Sequence, residues 1–84
     1  MTVDTLGEWL VAQSVGRSIH IAENGQAGTS AWTIQAPNST SPALLVPAGQ
    51  ARDFTTTNPF VPGEKVMFLT AAVGSMTFTW SETL

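Results

Sequence analysis

The sequence predicts an all-β fold, a small β-sandwich or barrel of about six short strands, with residues 1–14 as an N-terminal arm or short helix and 15–84 as the β domain. Three observations predict it. Residues 75–80 alternate strictly: Met76, Phe78 and Trp80 fall on one face, Thr77, Thr79 and Ser81 on the other. A period of two with large residues on one side is the signature of a half-buried strand. Short apolar runs are separated throughout by Gly, Pro, Asn and Ser clusters. Charged residues make up only 11% of the 84 residues, so serine and threonine carry the polarity, as on hydroxyl-rich sheet faces.

The N-terminal segment supports a helix or an extended arm. Thr5 and Glu8 have capping-box spacing, and Val3, Leu6 and Leu10 recur at helical intervals with Trp9 beside them. Gly7 opposes a helix by about 1 kcal/mol relative to alanine. Arg17 to Ala22 predicts a strand, with Ile19 and Ile21 inward and His20 outward. Asn24-Gly25 suits a type I′ hairpin leading to a returning strand over Ala31 to Ala36. Residues 37–42 form a loop by composition. Ala43 to Val46 is a short strand bounded by prolines, which favours an edge. Pro47 to Gln50 is a turn, and Ala51 to Thr56 a strand centred on Phe54. Pro62-Gly63 fits the centre of a type II turn. Lys65 to Ala71 is then expected to form a closing hairpin with 75–80.

Lys65 to Ala71 is apolar on both faces, with Val66 and Phe68 on one and Met67, Leu69 and Ala71 on the other. Such a strand needs cover on both sides. Val66 and Phe68 are expected to share the core of Met76, Phe78 and Trp80, and Met67 and Leu69 to lie under a second cover, the N-terminal segment or a neighbouring subunit. A chain of this length buries only about 60–65% of its unfolded surface and usually needs a staple. Cysteine is absent and histidine occurs once, which removes disulfides and argues against structural zinc. Association is the staple left. The expected partner interface is Val3, Leu6, Trp9, Leu10, Phe60, Met67 and Leu69. Phe60 enters because the prolines around it hold its loop rigid.

The net charge is −3, with Arg17, Arg52 and Lys65 scattered along the chain. Nucleic-acid binding requires clustered cations, so that class is excluded. No apolar run is long enough to span a bilayer as a helix, and the first residues carry no secretory signal pattern. His20 is the only side chain whose ordinary pKa lies near neutrality. No recognised spacing joins it to an orienting acid and a nucleophile. The expectation is a non-enzymatic protein without cofactor or metal. Asp4 and Glu8 would share a helix face, but acids favour helix starts, and calcium needs six or more oxygens. Asn38-Ser39-Thr40 matches a glycosylation acceptor, a cheap match in so Ser/Thr-rich a chain. Trp9, Trp32 and Trp80 could build a sugar-stacking platform, although Trp32 and Trp80 fall on the inward faces of their strands.

From Ala43 to Trp80 the order is an apolar strand, Pro47-Ala-Gly-Gln50, a threonine-rich strand, Phe60-Val-Pro-Gly63, then Val66 to Ala71 and Met76 to Trp80. In this order, and in its acidic, cysteine-free composition, the chain resembles small β-sandwich proteins of tailed-bacteriophage particles, especially head decoration (cement) proteins. The resemblance implies a virion structural protein, often a homotrimer, made in the host cytoplasm and bound outside an icosahedral shell, where it bridges copies of the major capsid protein. The alternative is a carbohydrate- or receptor-binding β module of a phage fibre or tail.

Overall fold

The computed structural model describes residues 1–24, 31–40 and 42–84. They form eight strands: β1 Thr2–Asp4, β2 Glu8–Val11, β3 Gly16–Glu23, β4 Trp32–Gln35, β5 Leu44–Val46, β6 Ala51–Phe60, β7 Lys65–Ala71 and β8 Ser75–Thr83. These pair antiparallel into two four-stranded sheets, in the orders β1-β8-β3-β6 and β2-β7-β4-β5. The sheets pack as a β-sandwich. The fold class is therefore the one expected from alternation and turn chemistry.

The pairing differs from expectation. Only β4 and β5 are neighbours both in sequence and in a sheet. β3 and β4 lie in opposite sheets, so no hairpin joins them; Gly25 of the expected turn lies outside the described residues. β7 and β8 likewise cross from one sheet to the other. A hairpin would set Met76 and Phe78 beside the β7 residues in one layer. Crossing sets the two apolar faces opposite each other, which buries both.

The N-terminal segment is neither helix nor arm. β1 pairs with β8, with Val3 opposite Met76, and β2 pairs with β7, with Leu10 opposite Met67. The turn between them is held by the Asp4 carboxylate, which accepts from the Leu6 and Gly7 amides at 2.9 and 3.2 Å. Gly7 has φ +90°, a conformation closed to helix and costly for any residue with a Cβ. Residues 1–14 are thus part of the β domain, with one strand in each sheet.

The core is one cluster between the sheets. Val3, Ile19, Ile21, Phe54, Met76 and Phe78 face it from one side; Leu10, Trp32, Ile34, Val46, Met67 and Leu69 face it from the other. Trp32 and Phe78 meet edge to face across the gap, with centroids 4.9 Å apart at 72°. β7 finds both its covers within the chain. Met67, Leu69 and Ala71 point into the core, while Phe68 points outward against Trp9, 5.2 Å away at 61°. Gly7 lies against the same ring: a Cβ there would come within 2.3 Å of Phe68 Cζ. Val66 is buried next to Met67 because the register slips between Leu10 and Val11, a bulge that turns two consecutive β7 residues inward. The expected Pro62-Gly63 turn forms, with Glu64 N–H donating to the Val61 carbonyl at 3.1 Å and Gly63 at φ +90°. So does the turn at 47–50, where Gln50 N–H donates to the Pro47 carbonyl at 3.4 Å.

Gly7 and Gly63 share the same φ, but a Cβ at Gly63 meets nothing within 4 Å. Gly63→Ala should therefore cost only the backbone penalty, about 1–2 kcal/mol. Gly7→Ala carries that penalty and must also displace Phe68, so it should lower the urea midpoint clearly further. Equal midpoints for the two variants would show that the Phe68 lid does not press on Gly7.

Candidate functional site

Two arrangements bring chemistry-bearing side chains together. The first lies on the outer face of the β1-β8-β3-β6 sheet. Ser81, His20 and Asp53 stand in one row across β8, β3 and β6. Thr83, Ser18 and Thr55 form the next row, and Ser18 and Thr55 share a 3.2 Å hydroxyl contact. His20 Nδ1 lies 2.6 Å from Asp53 Oδ1, with the two side chains 52% and 81% exposed. The row has the residue types of a nucleophilic triad without its setting. No hydrogen bond joins Ser81 to His20 among the described residues. The face is a flat sheet whose neighbouring N–H groups serve the strand ladder, so no pair of donors converges on a reacting oxygen as acyl transfer requires. A solvated contact of this kind contributes little to stability. Among the described residues no group of three or more His, Cys, Asp or Glu could hold a metal.

The second arrangement is a cleft of about 550 Å³ beside the end of β8, lined by Gln13, Ser14, Phe78, Thr79, Trp80 and Glu82. Glu82 is its anchor. Its Oε1 accepts from Ser14 N–H at 2.9 Å and Ser14 Oγ at 2.8 Å, its Oε2 accepts from Trp80 Nε1 at 2.9 Å, and Gln13 N–H lies 3.0 Å from both oxygens. Four donors thus surround one carboxylate, which ties the β2–β3 turn to the C-terminal strand and fixes the Trp80 ring. Burial pushes the Glu82 pKa up, but the hydrogen bonds from Trp80, Ser14 and Gln13 outweigh burial and hold it below the usual carboxylate value. A carboxylate so fully engaged is a structural clasp rather than a proton donor.

The residues expected at a partner interface separate into two groups. Val3, Leu10, Phe60, Met67 and Leu69 are buried within the chain's own core and offer nothing to a partner. Their burial removes the need for an intermolecular cover. Trp9 is half-buried against Phe68, with Lys65 Nζ 6.0 Å from its ring centre. Leu6, at 85% exposure in the β1–β2 turn, alone stands free. The three tryptophans build no common platform. Trp32 is fully buried, and Trp9 and Trp80 lie in different sheets. Asn38 is not a free glycosylation acceptor: its Nδ2 donates to the Asn58 carbonyl at 2.8 Å and its Oδ1 accepts from Asn58 N–H at 3.1 Å.

Exposed apolar residues that sequence reasoning did not single out collect at the strand ends. Gly16 pairs with Phe60, so Val15 and Val61 follow side by side; Ser18 pairs with Thr83, which brings Leu84 to the same end. Val11, opposite Lys65, is exposed in the other sheet and stands apart from them. Val15, Val61 and Leu84 are all exposed, Leu84 at 89%. No signal within a single segment could have found this group, because three separate segments supply it.

Comparison with protein-family models, curated proteins and solved structures gives no match.

Glu82 makes stability depend on pH in a definite direction. Its pKa is lower in the folded than in the unfolded chain, so its contribution is fully present above the ordinary carboxylate range. It is lost as pH falls through the lowered value. Urea unfolding should show wild type more stable than Glu82→Gln at pH 7, with the gap closing toward pH 3. A gap that stays constant over that range would mean that the clasp does not depend on charge.

Proposed function

We propose that the protein is a non-enzymatic virion structural protein. It is made in the host cytoplasm and bound as a homotrimer to the outer surface of a capsid, where it contacts the major capsid protein and stabilises the shell. The observation that carries this reading is the apolar end where Val15, Val61 and Leu84 are brought together by the strand registers. A monomer with a complete internal core has no folding use for three exposed aliphatic side chains at one end of a sheet. Clustered apolar surface of this kind is a mark of interaction sites. The sheet face that carries His20 is polar and hydroxyl-rich, which suits the side left toward solvent.

The energetics favour a repeated contact. A small patch gives a weak single interaction after the losses of association. Oligomerisation on a symmetric lattice multiplies it through effective concentration. The β-sandwich itself needs no partner, so the protein can be made as a folded unit before it docks. The fibre or tail carbohydrate-binding alternative is less well supported, because no two indole faces share a surface and the Trp80 N–H is already committed to Glu82.

Quantitative mass spectrometry and surface labelling of the purified particles test the proposal. The chain should be a multicopy component, labelled on the outside of intact particles. Val15→Ser combined with Val61→Ser should reduce its recovery on particles at least about tenfold while leaving the unfolding midpoint nearly unchanged. Absence of the chain from particles, or full incorporation of the double variant, would reject the reading.

A further inference from the structure

We infer that β1 and β2, with Ala12, form a detachable clasp latched by Glu82, which a second copy of the chain accepts in exchange for its own. The inference deepens the homotrimer of the proposed function and rests on that reading for its use, but the exchange itself is a property of the free chain.

It begins with topology. β1 is an edge of the β1-β8-β3-β6 sheet, and β2 is an edge of the β2-β7-β4-β5 sheet. Among the described residues each pairs with a single strand, β1 with β8 and β2 with β7. A short turn joins them, so one continuous segment closes the same side of both sheets. The strands have only three and four residues, and each adds few bonds to its ladder. Three buried side chains anchor the segment: Val3 opposite Met76, Leu10 opposite Met67, and Ala12. Ala12 N–H donates to the Glu64 carbonyl at 2.8 Å, and the Ala12 carbonyl accepts from Gly63 N–H at 2.9 Å.

The polar bonds of this region fall into two sets. One is internal to the clasp. The Asp4 carboxylate accepts from the Leu6 and Gly7 amides, and Gly7 N–H also lies 3.2 Å from the Asp4 carbonyl. These bonds travel with the segment, so β1 and β2 keep their turn away from the core. The other set belongs to the connection Gln13-Ser14-Val15, whose three residues are all exposed. There Glu82 accepts from Gln13 N–H at 3.0 Å, Ser14 N–H at 2.9 Å and Ser14 Oγ at 2.8 Å. Those bonds exist only while the connection folds back, which is the form that sets the clasp on its own core.

When the connection straightens, the clasp leaves its core. The surface it uncovers has one partner whose fit is already given, the same clasp from a second copy. Every contact is then remade between chains: Val3 with Met76, Leu10 with Met67, and Trp9 on Phe68. Docking of an unrelated protein requires a new complementary surface, whereas exchange reuses an existing one. The closed monomer and the exchanged assembly therefore differ only in the connection and in the entropy of association. A short connection favours exchange, and Glu82 opposes it by holding the bend. Passed from copy to copy round three chains, the same exchange closes a trimer.

Thiol cross-linking tests the exchange, because the chain has no cysteine of its own. Thr2 lies opposite Thr77. Met1 and Phe78 beside them exchange both backbone bonds, at 2.8 and 3.1 Å. Thr2 and Thr77 are therefore a non-hydrogen-bonded pair, whose close Cα atoms suit a disulfide. Thr2→Cys and Thr77→Cys chains are mixed, unfolded in urea, refolded together at high concentration and oxidised. They should give at least about tenfold more covalent heterodimer than Thr2→Cys mixed with Thr57→Cys, since facing thiols have the higher effective concentration. Thr57 is exposed on β6, at the far edge of the same sheet. Glu82→Gln in both chains should raise that yield and the sedimenting oligomer severalfold. Equal yields from the facing and distant pairs would overturn the exchange, as would a wild-type chain that refolds at millimolar concentration only to monomer. A yield unchanged by Glu82→Gln would overturn the latch. All of these measurements use the free chain, so their failure is distinct from absence of the chain on particles.

Discussion

The edge-to-face contact between Trp32 and Phe78 is the point at which the two sheets are joined. Trp32 is the largest fully buried side chain and sits on β4, while Phe78 sits on β8 in the opposite sheet. A sandwich of two four-stranded sheets has a single apolar layer, so rings that span it determine the sheet separation. Offset and edge-to-face ring pairs contribute beyond their buried area, typically about 0.5–1.5 kcal/mol. The arrangement has a cost: Trp32 Nε1 is buried without a hydrogen-bond partner among the described residues. A chain this short accepts an unpaired indole N–H to gain the largest ring it has at the middle of its core. The inward positions of the neighbouring strands are then set by register from these two residues.

Much of the strand content could be read from alternation and turn chemistry. Lys65–Ala71 has the boundaries expected of it, and the β3 and β8 cores match the alternation at Ile19, Ile21, Met76 and Phe78. The Pro62-Gly63 turn was legible because its φ demand is local. Pairing was not legible. Neighbouring strands separated by a short loop suggest a hairpin on local grounds, but an isolated hairpin leaves one apolar face uncovered. Here the demand to cover both faces of a thin sandwich sends the chain across to the other sheet. The N-terminal strands were missed for a related reason. Val3, Leu6 and Leu10 fall at helical spacing by coincidence of two short strands and a turn, and β1 and β2 are too short to establish a period of two.

The candidate sites were still less accessible. His20 could be placed outward from its own strand, but its meeting with Asp53 and Ser81 depends on the register of two further strands. Glu82 gives no local sign of its role, since its backbone donors lie 68 and 69 residues earlier. The two-faced apolarity of β7 marks a demand for a second cover, but the faces are the reverse of those expected: Met67 and Leu69 fill the core, Phe68 takes the outer side, and the cover is internal. Trp9 and Gly7 lie over Phe68, and the N-terminal segment, not a partner, supplies them. What remains for a partner is found at the strand ends, a property of topology.

The pairing of Met1 to Asp4 with β8 sets the order in which the protein can be made. β1 leaves the ribosome long before its partner β8. During synthesis, at about 5–20 residues per second, that strand must wait several seconds with its apolar Val3 unprotected. β3 also waits for β6 and β8, and β2 for β7. Almost no native pairing can form until β6 to β8 have been made, and folding becomes a single late event. Chains dominated by such distant pairings fold slowly. The scarcity of long apolar stretches near the N-terminus, with Thr2, Asp4, Thr5 and Glu8 set among its apolar residues, then has a use that the finished structure does not reveal. It keeps the nascent chain dispersed until β8 arrives.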